Sequence, residues 1–108
     1  MNFGQAIESL KEGKNVARNG WNGKGMHLWL NKGSVDARSL SNQADGTDIP
    51  KEDLGTIAGV SMGLFEKGDL NTVTRLPNIN MRAATGETVT GWLASQTDML
   101  AEDWGIVE

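Results

Sequence analysis

The first twelve residues follow a pattern typical of a helix that buries one face. Apolar side chains recur at the spacing i, i+3, i+4 and i+7, at Phe3, Ala6, Ile7 and Leu10. This spacing places them on a single stripe of an α-helix. Asn2 is a helix-capping residue type, and Gln5 follows it at the spacing of a capping box. Gly13 is the residue type that commonly follows a helix. The sequence therefore predicts an α-helix over residues 2–12.

Further along the chain, short apolar segments separated by turn residues predict β-strands. The predicted strands cover residues 15–18, 26–30, 72–83, 88–94 and 104–107. Pro77 lacks an N–H for a strand ladder, so we predict an edge position or a bulge there. Ser95 precedes Asp98 at the capping-box spacing, which predicts a short helix through Ala101. Together these elements predict an α+β fold, in which the N-terminal helix covers one face of a twisted antiparallel sheet of about four or five strands.

The middle of the chain has a different pattern. Its 108 residues fit one domain, since domains have roughly 100–200 residues. Within this single domain, 1–108, residues 34–72 are predicted to form a loop-rich insert, and the polar residues 34–53 are predicted to be mostly loop. A short helix is one interpretation of residues 54–65. Three glycines on one face of that helix weigh against it, because each costs about 1 kcal/mol relative to alanine.

Composition and charge exclude several classes of protein. Ten Lys+Arg face fourteen Asp+Glu, a net charge of −4. This balance argues against nucleic-acid binding and against a polybasic membrane surface. The absence of cysteine excludes disulfides, thiolate metal sites and a cysteine nucleophile. With no membrane-length apolar run and no signal-peptide pattern, we predict a soluble cytoplasmic protein with no metal or cofactor.

Residues suited to catalysis are few. His27 is the single histidine, and one histidine is more simply explained as exposed or structural than as a general base. Asp98 and Glu102, four positions apart on a helix, could hold a cation or a sugar. A capping acid on a solvated face explains them more simply. The phosphate-loop, serine-hydrolase and dinucleotide motifs are missing, so we predict that the protein is not an enzyme.

A glycine-rich segment, residues 19–25, is better suited to binding. It contains three glycines and two asparagines together with Trp21 and Lys24. Backbone N–H groups in such a loop can form a concave site for an anion. Trp21 could stack on a planar ring, and one stacked base contributes about 1–3 kcal/mol. Alternatively, Trp21 folds back into the core. Both interpretations remain open at this point.

Two tryptophan-containing segments, residues 20–26 (GWNGKGM) and 92–104 (WLASQTDMLAEDW), are similar to motifs of a known family. Together with residues 2–6, Ala17-Arg18 and Leu76-Pro77, they resemble the Thoeris anti-defence protein 2 family. The resemblance covers residues 1–33 and about 73–108. It departs from the family at Gly91, where we expect a proline, and it does not extend over residues 34–72.

The resemblance implies a non-catalytic sponge. Such a protein binds a cyclic ADP-ribose-type signal of the bacterial Thoeris defence without cleaving it, and so blocks anti-phage immunity. It also implies a homo-oligomer, typically a tetramer, with ligand pockets between subunits. Some relatives hold cyclic oligonucleotide signals, which is the alternative ligand class. A virion-associated or structural interaction module and a hydrolase of cyclic nucleotides are the remaining alternatives.

The resemblance also indicates which residues bind the ligand. A tryptophan suits the adenine face, while amide, hydroxyl and carboxylate groups suit ribose hydroxyls, and backbone N–H groups suit a diphosphate. The residues that match the two motifs are Trp21, Asn22, Trp92, Ser95, Gln96 and Asp98, with Asn78 and Asn80 as additional polar contacts.

Overall fold

The computed structural model describes residues 1–21, 25–37, 55–71 and 73–107. Contacts divide the chain into two units. The sheet unit comprises Met1–Asn31 and Asn78–Glu108, and the insert unit comprises Lys32–Pro77.

The elements that lie wholly within the described residues are two α-helices, one 3₁₀ turn and nine strands. In chain order they are α1 (Phe3–Lys11), β1 (Asn15–Arg18), β2 (His27–Asn31), β3 (Gly33–Val35), β4 (Thr56–Ile57), β5 (Val60–Ser61), the 3₁₀ turn (Met62–Leu64), β6 (Phe65–Lys67), β7 (Asn78–Arg82), β8 (Thr88–Val89), α2 (Gln96–Leu100) and β9 (Trp104–Val107). Neither α-helix in this part of the chain is long and apolar enough to cross a membrane.

The sheet unit is built on five strands in the order β8-β7-β2-β1-β9. Every neighbouring pair is antiparallel. The longest ladder joins β2 to β7, from His27 opposite Arg82 to Asn31 opposite Asn78. The last strand, β9, pairs with β1, the first strand, so elements far apart in the sequence are neighbours in the sheet. The predicted α+β fold is confirmed, including the five-stranded sheet and both helices.

One face of this sheet packs against α1. The helix begins as predicted, because Asn2 Oδ1 accepts from the Gln5 N–H at 2.8 Å and Gln5 Oε1 accepts from the Asn2 N–H at 2.9 Å. Both bonds of the capping box satisfy N–H groups that the helix leaves free. The apolar stripe of α1 contributes to a buried cluster whose members are Ala6, Leu10, Val16, Leu28, Met81 and Trp104.

Two predicted strands of the sheet unit are shorter than expected. The strand predicted over 72–83 begins only at Asn78 in β7, and the one predicted over 88–94 ends at Val89 in β8. The edge position predicted from Pro77 is wrong, since β7 lies between β8 and β2. Pro77 precedes the strand, so its missing N–H removes no ladder hydrogen bond.

The insert unit is built from very short strands. Strand β3 pairs in parallel with β6, and β4 pairs antiparallel with β5. The helix considered for residues 54–65 is wrong. Ala58 and Gly59 both adopt positive φ angles, of 51° and 82°, which form a tight turn between β4 and β5. The loop predicted over 34–53 begins within β3 and then lies largely outside the described residues.

Candidate functional site

Three tryptophans from the two motif segments form one cluster, which we call the tryptophan cluster: Trp21, Trp92 and Trp104. The ring centroids of Trp21 and Trp104 are 5.4 Å apart, those of Trp92 and Trp104 6.3 Å, and those of Trp21 and Trp92 6.4 Å. All three contacts are edge-to-face, an arrangement that aromatic quadrupoles favour. The fold therefore brings together two segments that are about 70 residues apart in the sequence.

The members of the tryptophan cluster differ in burial. Trp104 is only 3% exposed and belongs to the buried core. Trp21 and Trp92 are half-buried and pack against that core from its border. Trp21 thus combines features of both interpretations, because its ring contacts the core while part of the residue remains exposed. Asn22 lies outside the described residues.

The backbone around Trp92 is fixed by strand β7. The Trp92 N–H donates to the Ile79 carbonyl at 2.7 Å, and the Gly91 N–H donates to Asn80 Oδ1 at 3.1 Å. Asn80 is 4% exposed, so this hydrogen bond satisfies a buried amide oxygen. The structure therefore places Asn80 beneath the turn that leads into Trp92.

Gly91 has a φ angle of +71°. Proline is restricted to a φ near −65° and has no N–H to donate. A proline at this position could neither adopt the turn nor bond to Asn80. The glycine found at position 91, where the family pattern has proline, therefore goes with a left-handed turn whose N–H bonds to Asn80.

Ser95 and Asp98 form the N-terminal cap of α2, as predicted. The Asp98 N–H donates to Ser95 Oγ at 3.1 Å, and the Ser95 N–H donates to Asp98 Oδ2, also at 3.1 Å. Ser95 Oγ in turn lies 2.9 Å from Asp98 Oδ2. The helical i, i+4 placement considered for Asp98 and Glu102 is wrong, because α2 ends at Leu100 and Glu102 lies beyond it. Gln96 is exposed at the first position of the helix.

Arg18 links the cap to the glycine-rich segment. Its Nη1 donates to Asp98 Oδ1 at 2.9 Å, and its Nε donates to Asp103 Oδ1 at 3.0 Å. Asp103 Oδ2 accepts from the Gly20 N–H at 2.9 Å. Sequence reasoning assigned no role to Arg18 or Asp103. Their separation of 85 positions hides the pairing, and the available signal was that Asp103 lies in the second motif and Arg18 in the matching pair Ala17-Arg18.

These contacts set the charge of the two carboxyl groups. Burial raises the pKa of Asp98, but the hydrogen bonds from Arg18 and Ser95 more than offset this and hold its pKa below the ordinary value. The hydrogen bond from Arg18 lowers the pKa of Asp103, against a smaller effect of burial, and the Gly20 N–H lowers it further. Both carboxyl groups are therefore ionised at neutral pH.

The fourth tryptophan belongs to a separate group. Trp29 alternates with the buried Leu28 along β2, so it lies on the sheet face opposite the core. Its ring is 5.5 Å from His27 and 5.7 Å from the guanidinium carbon of Arg82. His27 Nδ1 lies 2.7 Å from the Gly25 carbonyl oxygen, which is a structural hydrogen bond. Among the described residues, no group of three histidine or acidic side chains could hold a metal ion.

A helix-covered antiparallel sheet that gathers three tryptophans from distant segments defines a small α+β domain with an aromatic cluster at the border of its core. Comparison with known proteins identifies the family. The family model of the Thoeris anti-defense 2-like domain matches residues 1–107. Thoeris anti-defense 2 of Bacillus phage SP01 is 35% identical over 107 residues, which cover 99% of this chain and 94% of that protein. The chain belongs to the Thoeris anti-defense 2-like family, and this membership supports a role in blocking Thoeris defence.

Proposed function

We propose that this protein blocks Thoeris defence as a non-catalytic sponge that binds and withholds a cyclic ADP-ribose-type signal. The observation that carries the proposal is the tryptophan cluster, in which Trp21 and Trp92 each retain an exposed part beside the buried Trp104. Aromatic faces of this kind bind nucleobases by stacking, worth about 1–3 kcal/mol per base.

The polar groups of the second motif support binding rather than catalysis. A general acid or base needs a pKa near the working pH. The pKa of Asp98 lies below its ordinary value, and both of its carboxyl oxygens already take part in hydrogen bonds. Asp98 is thus a fixed negative charge that shapes the site rather than a proton donor.

The predicted site residues divide into two groups in this proposal. Trp21, Asn22, Trp92 and Gln96 contact the ligand. Ser95, Asp98 and Asn80 hold the surrounding backbone, since the hydroxyl, the carboxylate and the amide oxygen each have a partner within the protein. This division predicts that the first group controls affinity more strongly than stability.

We further propose that the ligand pockets form between subunits of a homo-oligomer, with a tetramer as the expected state. Among the described residues, a surface depression along β1 and β9 has a volume of about 250 Å³, below the roughly 300–1,000 Å³ of typical small-molecule pockets. Leu93, Met99 and Leu100 are exposed in the segment that follows Trp92, and exposed apolar side chains are typical of subunit interfaces. Light scattering tests this arrangement, and a monomer of 11.6 kDa at micromolar concentration would contradict it.

The decisive experiment is recovery of the ligand. The purified protein is incubated with isomers of cyclic ADP-ribose, separated from free ligand and heated, and the released material is analysed by chromatography. Intact ligand supports the sponge, and a linearised product would show a hydrolase instead. Trp21→Ala should lose the ligand, while Trp29→Ala, which removes the same side chain outside the cluster, should retain it.

The same experiment separates the alternatives. Retention of cyclic oligonucleotides but no cyclic ADP-ribose isomer would show that the protein takes the other class of signal. If neither class is retained, a structural or interaction role at the virion becomes the better explanation. A sponge acts where the signal is made, so we place the protein in the cytoplasm of the infected cell.

A further inference from the structure

Arg18, Asp98 and Asp103 form an ion-pair group that we call the Arg18 clamp. Arg18 uses two different nitrogens for the two carboxylates, at 2.9 Å to Asp98 and 3.0 Å to Asp103. The side chains of Arg18 and Asp98 are 18% and 14% exposed. A planar guanidinium with two charge-assisted hydrogen bonds fixes the relative position of its partners in a way that a point charge cannot.

One end of the clamp holds the backbone that leads into Trp21. Asp103 Oδ2 accepts from the Gly20 N–H and the Asp103 carbonyl accepts from the Asn19 N–H, both at 2.9 Å. A Cβ atom on Gly20 would lie 3.1 Å from Asp103 Oδ2, so glycine leaves the room that this close approach requires. Asn19 and Gly20, the two residues before Trp21, therefore both donate hydrogen bonds to Asp103.

The other end of the clamp holds the ring against which Trp21 packs. The Asp98 carbonyl accepts from Trp104 Nε1 at 3.0 Å. The Trp104 ring is the nearest aromatic neighbour of Trp21, at 5.4 Å. One ion-pair group thus determines where the Trp21 backbone enters the cluster and how the adjoining ring is oriented.

We propose that Arg18 and Asp103 are positioning residues, which set the Trp21 ring within the tryptophan cluster and thereby set ligand affinity without touching the ligand. The part that concerns affinity rests on the proposed function. The part that concerns the Trp21 ring rests on the geometry alone. An experiment can therefore contradict either part without contradicting the other.

A double-mutant cycle tests the proposal on the full-length protein. Asp103→Asn removes the charge that pairs with Arg18. We expect it to weaken binding of cyclic ADP-ribose isomers by about tenfold or more and to change the near-ultraviolet circular dichroism of the tryptophans. Trp21→Ala should itself lose the ligand, so only the dichroism is compared in that background, and there the same substitution should change the spectrum much less because the Trp21 signal is gone. Glu8→Gln removes the same charge from an exposed pair with Lys11 and should leave both readouts unchanged.

The outcomes are distinguishable. If Asp103→Asn changes the near-ultraviolet dichroism equally with and without Trp21, Asp103 acts independently of Trp21 and the proposal is overturned. An unchanged dichroism spectrum would overturn it as well. If the parent protein binds no signal nucleotide, the proposed function fails, and the dichroism cycle still decides whether the clamp positions Trp21.

Two further variants protect the test against a failure to fold. Gly20→Ala adds a Cβ close to Asp103 Oδ2 and so disturbs the hydrogen bond between the Gly20 N–H and Asp103. It should change the near-ultraviolet dichroism in the same direction as Asp103→Asn. Arg18→Lys keeps the positive charge but cannot serve both carboxylates in the fork geometry. It should therefore restore only part of the affinity that Arg18→Ala loses, and full restoration would contradict a positioning role.

Discussion

The sheet unit and the insert unit bury their apolar side chains in different ways. In the sheet unit, strands of up to five residues pair across the chain and enclose a core of six buried side chains. In the described part of the insert unit, strands have two or three residues, and the buried apolar side chains are Val35, Met62 and Phe65. All four tryptophans belong to the sheet unit.

In the insert unit, backbone segments pack closely against their neighbours where larger side chains would otherwise fill the space. Gly33 begins β3, and a Cβ atom there would collide with the Arg75 carbonyl and with the Phe65 ring. Ser34 and Arg75 exchange two backbone hydrogen bonds at 2.8 and 2.9 Å beside it. Removing side-chain atoms should therefore damage the sheet unit most, whereas adding atoms should damage the insert unit most.

The largest effect is expected from truncation in the sheet unit. Trp104→Ala should destabilise the protein by about 3–5 kcal/mol, because it removes a buried ring and leaves a cavity. Trp21→Ala should cost less stability, since that ring lies at the border of the core. Chemical denaturation followed by far-ultraviolet circular dichroism compares the two. If Trp21→Ala unfolds as early as Trp104→Ala, Trp21 is core filler and not a ligand platform.

The converse change belongs to the insert unit. Gly33→Ala should cost about 1–3 kcal/mol through overpacking, and hydrogen exchange should show the loss of protection at the amides of β3 and β6. Gly55→Ala is the matched control, because a Cβ there meets no atom of the described residues within 4 Å. Equal effects of the two substitutions would contradict the idea that close backbone approach stabilises this unit.

A smaller effect is expected at the turn before Trp92. Gly91→Ala should cost about 1–2 kcal/mol, because φ is +71° and an L-residue with a Cβ is strained there. Gly91→Pro should cost more, since it also removes the hydrogen bond to Asn80. Gly105→Ala should be close to neutral, because φ there is outside the left-handed region and a Cβ would meet none of the described residues within 4 Å. Thermal unfolding of the three variants checks this order.

The N-terminal cap of α2 should contribute less to stability than the turn at Gly91. Ser95→Ala should destabilise the protein by about 1 kcal/mol, as loss of an N-cap commonly does. Asn2→Ala, at the cap of α1, is a control with the same capping-box geometry. Denaturant midpoints should shift to a similar extent in both variants. A much larger loss for Ser95→Ala would show that the cap also supports the Arg18 clamp.

The smallest effect is expected from acid. The pKa values of Asp98 and Asp103 are lowered in the folded state. Their contribution to stability is therefore complete above the unfolded-state value, about 3.9, and is lost as the pH falls through the lower folded-state values. Denaturant midpoints should stay level from neutral pH to about pH 5 and decline below pH 4. The decline should be shallower in Asp103→Asn.

The two units also explain what the sequence could and could not predict. Helix α1, strands β1 and β9 and the cap at Ser95 follow from local periodicity and capping spacing, and each was predicted. The turn at Ala58-Gly59 was not predicted, because a helix and a hairpin over residues 54–65 would use the same apolar positions. Which of them forms depends on the pairing of β4 with β5. The edge position predicted from Pro77 failed for a related reason. A missing N–H removes a hydrogen bond only within the strand ladder, and this ladder begins after Pro77, at Asn78.

The candidate site divides in the same way. Trp21 and Trp92 stand out by residue type and by their motifs. The roles of Arg18 and Asp103 depend on which strands pair, and β1 pairs with β9 across nearly the whole chain. The ligand contacts of Trp21, Asn22, Trp92 and Gln96 stay predictions, as does the single-domain organisation with an insert over 34–72.

The hydrogen bond between Asn80 and Gly91 has a consequence for how these proteins diverge. A glycine at 91 allows position 80 to keep a buried amide, because the turn offers an N–H that satisfies it. A relative with proline at 91 offers none, and a buried asparagine at 80 would then be left without that donor. Positions 80 and 91 should accordingly change together among homologues, with an apolar or small residue at 80 accompanying proline at 91.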